Sequence, residues 1–206
     1  MMNTQNYKQI KVTSADPSAL GLFGLAIIAL VESTEELGLT HGFAFMVPWV
    51  FFLGGLAQLF AAYLDAKNDS IFGTTVWGAY GLFWISLGVT WLIQLGVFGP
   101  NFDADEDIKQ VGVAFIGYLI FSIFVTIAAM ETNKVLFFVL LLLDIEFLGL
   151  SLSSFNILYD ATYEMAAVSE LFCALLSFYG SGAILINTCF GKTVLPLGKP
   201  FGIFIK

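Results

Sequence analysis

The sequence predicts an all-α integral membrane protein in which six transmembrane helices form one bundle. Three observations support this fold class: the composition, the alternation of apolar stretches with polar breaks, and the distribution of lysine. Of the 206 residues, 58% are hydrophobic and only 12% are charged. The mean hydropathy of +0.88 leaves too few polar side chains to cover a soluble globule of this size.

Six apolar stretches lie between polar breaks, and each is long enough, or nearly so, to cross a bilayer as a helix of about 20 residues. They cover 17–36, 42–64, 72–98, 111–130, 135–155 and 163–189. We therefore expect a transport domain over 17–190, with a tail at 1–16 and another at 191–206. The boundary between the first two stretches is the least distinct.

The first stretch begins with a helix-start signal. Asp16 is a typical N-cap residue, and Pro17 suits the first helical position because it has no N–H to leave unpaired. Its uninterrupted apolar part, 20–31, is short and ends at Glu32. Polar groups at membrane depth at both ends of a helix are typical of a solute pathway.

Lysine sets the predicted orientation, since all eight basic residues are lysines. With six spans, Lys109 lies alone on one side. The side of both termini holds the other seven, Lys8, Lys11, Lys67, Lys134, Lys192, Lys199 and Lys206. The positive-inside rule then places both termini in the cytoplasm of a protein in the plasma membrane. The acidic run Asp103-Ala104-Asp105-Glu106-Asp107 is predicted to be a solvated loop on the outside.

No pattern typical of an enzyme is present. His41 is the single histidine and lies in a predicted loop, which favours an exposed, uninvolved side chain. Cys173 and Cys189 fall in the last apolar stretch and are expected to be buried free thiols. We therefore expect no catalytic activity, no metal site and no cofactor.

Polar residues inside the apolar stretches are the better functional candidates, because such groups face a cavity, a partner helix or a neighbouring subunit. Asp144 and Glu146 are two residues apart, so they point about 200° apart on a helix and at most one faces a given pore. A transport role and a hydrogen-bonded packing role both remain open. The candidates are Gln58, Tyr80, Gln94, Asp144, Glu146, Glu170 and Asn187.

Three ordered motifs resemble the acetate uptake transporter family, the succinate/acetate permeases. They are ADPSALGL at 15–22, GGLAQLFAAYLDAKNDSIFGTTVWGAYGLFW at 54–84 and FGKTVLPLG at 190–198. The resemblance implies six helices around a central pore in each protomer and a homohexamer. It also implies proton-coupled uptake, or channel-like passage, of acetate and related small carboxylates.

The resemblance also implies a narrow apolar constriction, which in that family is built from Phe, Tyr and Leu. The matching positions here are Leu25, Tyr80 and Leu143, so Leu25 departs from the family's Phe. A ring of apolar side chains gates by dewetting, and a tyrosine hydroxyl offers one hydrogen-bond donor to a passing carboxylate. Asp16 and Ser18 are the predicted lip of the pore entry.

Asp144 and Glu32 are candidates for proton coupling, and Gln58 and Asn187 are further polar candidates for the pore or for packing. The expected partners are acetate, protons and the lipid bilayer, with no nucleic acid. Two alternatives stay open. The acidic residues that depart from the family pattern suit a cation or ammonium pathway, and the altered constriction suits a membrane sensor that transports nothing.

Overall fold

A computed structural model describes residues 14–99 and 107–204, and within them the secondary structure is helical, without strands. Among these residues, six helices are long and apolar enough to cross a membrane. This confirms the predicted fold class. The helices are α1 Ser18–Glu36, α2 Val47–Lys67, α3 Ile71–Gln94, α4 Lys109–Ala129, α5 Lys134–Ser154 and α6 Tyr159–Phe190.

Several helix ends differ from the predicted stretches. Helix α2 begins at Val47 rather than at 42, with Pro48 in its first turn. Helix α3 ends at Gln94, and Gly96 then adopts a φ of +69°, which ends the helix before the predicted position 98. Helix α6 begins four residues early at Tyr159, where Asp160 in the first turn favours a helix N-terminus. Hydropathy alone does not detect such polar helix ends.

The start of α1 is shifted by one residue from the prediction. Pro17 occupies the N-cap position, and the helix begins at Ser18. The predicted capping contact nevertheless exists, because the Asp16 Oδ1 atom accepts a hydrogen bond of 2.9 Å from the Ser18 N–H group. Asp16 therefore satisfies one of the unpaired N–H groups of the first turn.

The six helices close into a ring in chain order. Helix α6 packs along both α1 and α5, α2 packs between α1 and α3, and α5 packs against α4. The ring closes between α3 and α4 through aromatic side chains, where the Tyr118 hydroxyl donates a hydrogen bond of 3.1 Å to the Ala79 carbonyl. A closed ring surrounds one central axis, as expected for a bundle built around a solute pathway.

Residues Val50–Ala57 of α2 form a π-helix, whose wider turns are often found at functional sites. This segment presents the Leu53 carbonyl to Gly24 of α1, where a Cβ atom would collide with it. Helices α1 and α2 thus meet backbone to backbone beside Leu25. Glycine is required at position 24 for this close approach.

The two ends of the described chain lie at the same end of the bundle. The Ser14 N–H group donates to Asn68 Oδ1 at 3.0 Å, and the Val135 N–H group donates to the Leu197 carbonyl at 3.1 Å. Among the described lysines, only Lys109 lies at the opposite end; the others are Lys67, Lys134, Lys192 and Lys199. Residues 1–13 of the predicted tail at 1–16, Lys206 and the acidic positions 103, 105 and 106 lie outside the described residues.

Candidate functional site: two cavities separated by a closed apolar section

A cavity of about 280 Å³ opens at the end of the bundle away from the termini. We call it the acidic vestibule, because Glu32, Glu35 and Glu36 of α1 line one side of it. Gln94 and Tyr163 add polar atoms, and the rest of the lining is largely apolar. Three carboxyl groups at one wall make this cavity more attractive to protons and cations than to anions.

A second cavity, of about 140 Å³, lies at the end that carries the termini. We call it the basal cavity. Asp16 and Ser18 line it, together with Trp77 of α3 and Leu197 of the C-terminal segment. The structure thus places both predicted pore-entry residues at one cavity mouth, and their role in entry stays a prediction.

The bundle is closed between the two cavities. Leu25, Tyr80 and Leu143, the predicted constriction residues, are only 4%, 4% and 2% exposed. They belong to one apolar core with Ile28 and Phe147, which fills the axis of the ring. The structure therefore brings all three residues into the section that separates the cavities, while their function as a constriction stays a prediction.

Tyr80 is held by its neighbours on α4 and α5. Its hydroxyl donates a hydrogen bond of 2.8 Å to Ser122 Oγ. Its ring is nearly parallel to that of Phe147, with centroids 6.3 Å apart. In this closed state the Tyr80 proton is directed at Ser122, so donation to a solute requires that hydrogen bond to break.

Asp144 and Glu146 face different neighbours, as their spacing predicts. Asp144 is half-buried and faces Ser122 and Thr126 of α4. Glu146 is 2% exposed and faces Glu32 and Glu36 of α1. Of the two proton-coupling candidates named from the sequence, Glu32 thus shares its site with Glu146, and Asp144 lies apart from it.

The sequence does not predict that these glutamates lie close together. Glu32 and Glu36 are four residues apart and share one face of α1, which is a signal that the sequence contains. Glu146 and Glu170 lie on other helices, and no spacing relates them to α1. Only helix packing reveals that the side chains converge.

Gln58 is fully buried on α2, and neither its Oε1 nor its Nε2 atom has a hydrogen-bond partner. Cys173 is a buried free thiol, as predicted. The prediction for Cys189 was wrong, because this free thiol is exposed. It lies in the last turn of α6, where residues 188–190 are all exposed. His41 is exposed, as expected for a loop.

Asn187 attaches the C-terminal segment to α6. Its Oδ1 atom accepts hydrogen bonds from the Val194 and Leu195 N–H groups at 2.7 and 3.0 Å. Its Nδ2 group donates to the Leu195 carbonyl at 2.8 Å. This use favours the packing alternative for Asn187 over a pore role.

Asn187→Ala should release this segment. Each hydrogen bond contributes about 1 kcal/mol, so losing all three should accelerate tryptic cleavage at Lys192 by about tenfold or more. Limited proteolysis followed by mass spectrometry measures the rate, with Thr188→Ala as the exposed control on the same turn. Equal cleavage of the two variants and the unmodified protein would contradict the assigned attachment.

A ring of six membrane-crossing helices, closed in the middle and hollow at both ends, is the architecture of a membrane transporter or channel. The model of the GPR1/FUN34/yaaH family matches residues 1–198. The chain therefore belongs to the GPR1/FUN34/yaaH family, which agrees with the resemblance found in its three motifs.

Curated relatives span most of the chain. The succinate-acetate/proton symporter SatP of Escherichia coli (strain K12) is 29% identical over 188 residues, which are 90% of this chain and 96% of that protein. Ammonia transport outward protein 2 of Saccharomyces cerevisiae (strain ATCC 204508 / S288c) is 29% identical over 146 residues, 69% of this chain and 51% of that protein. The solved structure of the bacterial acetate channel SatP matches with a TM-score of 0.81 at 28% identity, covering 90% of this chain and 100% of that one.

Proposed function

We propose that this protein transports acetate and related small mono- and dicarboxylates, as a proton-coupled transporter or as a channel, and that it is not an enzyme. The observation that carries the proposal is the closed apolar section between two cavities, in a bundle that matches the structure of an acetate channel. The relative described as a succinate-acetate/proton symporter supports the same substrate class.

The charge distribution favours passage of the protonated acid. A carboxylate in the acidic vestibule would lie beside three glutamates, and the described lysines lie at the helix ends or in the C-terminal segment, away from the middle of the path. An acetic acid molecule is neutral and small, so it enters an apolar constriction at much lower cost than the anion. Leu25 and Leu143 need only separate briefly to let it pass.

The two alternative functions, a cation pathway and a sensor that transports nothing, can be compared with the cavities and the closed apolar section. A cation or ammonium pathway suits the acidic vestibule, and a relative is described as an ammonia transport protein. Yet the closed section around Leu25 and Leu143 is apolar and offers a cation few ligands. A sensor that transports nothing would need no cavity at both ends. Both alternatives are therefore disfavoured, and both are outcomes of the test.

The test is uptake of labelled acetate into proteoliposomes. We expect entry faster than into empty vesicles, and faster at low pH than at neutral pH. Tyr80→Ala should raise this flux several-fold, because it removes a buried ring from the closed section. Tyr63→Ala, at a tyrosine that is 55% exposed on α2, is the control and should leave the flux unchanged.

Three results would contradict the proposal. Acetate entry equal to that of empty vesicles at both pH values would show that the protein does not transport acetate. Reversal potentials that follow the cation gradient and ignore acetate would favour the cation pathway. A Tyr80→Ala protein that changes no solute flux would favour the sensor.

The assembly and location of the protein belong to the same proposal. We propose a homohexamer in the plasma membrane with both termini in the cytoplasm. The many exposed apolar side chains on the ring's outer face, such as Phe52 and Phe124, support contact with lipid or with neighbouring protomers. The lysines gathered at one end of the bundle support cytoplasmic termini.

A further inference from the structure

Four glutamates from three helices converge beneath the acidic vestibule. Glu32 and Glu36 of α1 interact with Glu170 of α6 and with Glu146 of α5. We call them the four-glutamate cluster. Glu32, Glu146 and Glu170 are 8%, 2% and 1% exposed, so three of the four side chains are almost completely removed from solvent.

The register of α1 against α6 places two of these residues at the same depth in the bundle. Leu22 packs against Gly180, and the neighbouring Ser181 hydroxyl donates a hydrogen bond of 2.7 Å to the Ala19 carbonyl. The helices are antiparallel, so the residue ten positions further along α1 and the residue ten positions earlier on α6 lie level with each other. Those residues are Glu32 and Glu170, whose carboxyl groups interact.

Helix α5 contributes the fourth glutamate, Glu146, which lies between two close contacts of α5 with α6. The Ser169 hydroxyl donates a hydrogen bond of 2.7 Å to the Leu142 carbonyl. One turn beyond Glu146, Gly149 packs so closely on α6 that a Cβ atom would lie 2.5 Å from the Thr162 carbonyl. Glu146 lies between these two contacts and is therefore pressed towards α6.

The cluster lacks counter-charges among the described residues. The Glu170 carboxyl lies within hydrogen-bonding reach of Glu32 and Glu36. Outside the cluster, neither carboxyl oxygen of Glu170 has a partner, and the Oε2 atoms of Glu146 and Glu36 also lack one. The titratable groups that interact with the cluster are themselves acidic or neutral, and no described lysine is among them. They are Glu35 on α1, Tyr80 on α3, and Tyr163 and Cys173 on α6.

Four ionised carboxylates without a counter-ion are not stable in such a place. Removing each charge from water costs several kcal/mol, and like charges add repulsion. Protons or a cation must therefore neutralise most of the cluster. Among the described residues no group of three or more acidic, histidine or cysteine side chains is arranged to hold a metal ion. Shared protons fit the observed arrangement, because a protonated carboxyl donates to a neighbouring carboxylate.

The cluster has access to water from one direction. Glu32 and Glu36 line the acidic vestibule, whereas Glu170 lies behind them and is not part of its wall. We propose that the four-glutamate cluster is a proton-binding site that exchanges with the acidic vestibule and couples proton entry to passage of the substrate. The coupling, though not the proton binding, rests on the proposed transport function.

Each transfer is a simple acid–base step. A hydronium ion in the vestibule loses one proton and becomes a water molecule, and the proton forms an O–H bond with an oxygen of Glu36 or Glu32. That bond then breaks as a new O–H bond forms on Glu170 or Glu146. Each proton that arrives makes the cluster one unit less negative, which lowers the repulsion that a passing carboxylate meets from this wall.

Proton occupancy is measurable without any transport. Infrared difference spectra of the purified full-length protein, recorded across a pH titration, report the C=O stretch of protonated carboxyl groups. We expect a band that persists to neutral pH and is reduced in Glu170→Gln and in Glu146→Gln. Glu164→Gln, on the exposed face of α6, is the matched control and should keep the full band.

Transport then tests the coupling. In proteoliposomes, Glu170→Gln should lose the part of acetate uptake that an inward proton gradient drives, while uptake down an acetate gradient remains. Asp144→Asn tests the other proton-coupling candidate and should keep the gradient-driven part, because Asp144 faces α4 rather than the cluster. Loss of that part in Asp144→Asn but not in Glu170→Gln would overturn the coupling assignment.

One spectroscopic result would overturn proton binding itself. It is a neutral-pH band that is equal in the unmodified protein, Glu170→Gln and Glu146→Gln. Absence of acetate uptake in the unmodified protein would contradict the proposed function and leave the spectroscopic result intact.

The Glu→Gln variants are expected to fold, so a changed spectrum can be distinguished from a failure to fold. Glutamine has the shape of a protonated glutamate, so Glu170→Gln should unfold at the same temperature as the unmodified protein or higher. If Glu170→Gln is nevertheless poorly folded, Glu36→Gln at the vestibule wall supplies the second spectrum. A normal band in a well-folded Glu36→Gln, together with a normal band in Glu146→Gln, would overturn the proposal.

Discussion

Alanine in place of both Leu25 and Leu143 should raise acetate flux by about tenfold, which corresponds to about 1.4 kcal/mol less barrier. Both side chains lie in the closed section and are almost fully buried. Removing them widens the narrowest part of the path and weakens the dewetted barrier. Labelled acetate uptake into proteoliposomes measures the change. Selectivity should fall as well, so larger carboxylates should enter more easily than in the unmodified protein.

The same double truncation elsewhere on these helices is the control. Leu20 of α1 and Leu141 of α5 are 38% and 36% exposed, so Leu20→Ala with Leu141→Ala removes equal mass outside the closed section. Its flux should match that of the unmodified protein. If both double variants raise the flux equally, leakage through a loosened bundle explains the result and the constriction is not at Leu25 and Leu143.

Gly24→Ala should clearly lower the stability of this protein. The new Cβ atom would collide with the Leu53 carbonyl in the π-helical part of α2, and neither backbone can move without separating the helices. Overpacking of this kind costs about 1–3 kcal/mol. Thermal unfolding in detergent should show a clearly lower midpoint, and displacement of the adjacent Leu25 should alter acetate flux.

Gly117→Ala is the matched control for this change. It adds the same methyl group to another membrane-crossing helix, at a position where nothing lies within 4 Å of the new atom. Its midpoint should stay the same or rise slightly, because alanine favours a helix more than glycine does. Equal midpoints for Gly24→Ala and Gly117→Ala would show that the contact between α1 and α2 does not depend on a bare backbone.

The acidic residues give this protein a particular electrostatic character. Asp16 lies at the basal cavity, and Glu32, Glu35 and Glu36 lie at the acidic vestibule, so both mouths carry carboxyl groups. Both mouths therefore attract protons and raise the local fraction of neutral acid. This arrangement supports a substrate that crosses in its protonated form.

The sequence alone determined the fold class and the number of membrane crossings. Both follow from the length and apolarity of each stretch, because a bilayer leaves a backbone few ways to satisfy its polar groups. The asymmetry of lysine was equally visible, since it depends only on the order of the loops. The opposite facing of Asp144 and Glu146 also followed from one helical angle, without knowledge of any neighbour.

Tertiary structure decided what those residues meet. Hydropathy did not locate the polar start of α6 or the late start of α2, because helix ends depend on caps and turns. Nor did hydropathy predict that Cys189 is exposed, because this residue lies beyond the packed part of its helix. The four-glutamate cluster depends on two helix registers, α1 against α6 and α5 against α6, that no local pattern specifies. Side chains distant in sequence become neighbours only when small residues such as Gly149 and Gly180 let the helices approach.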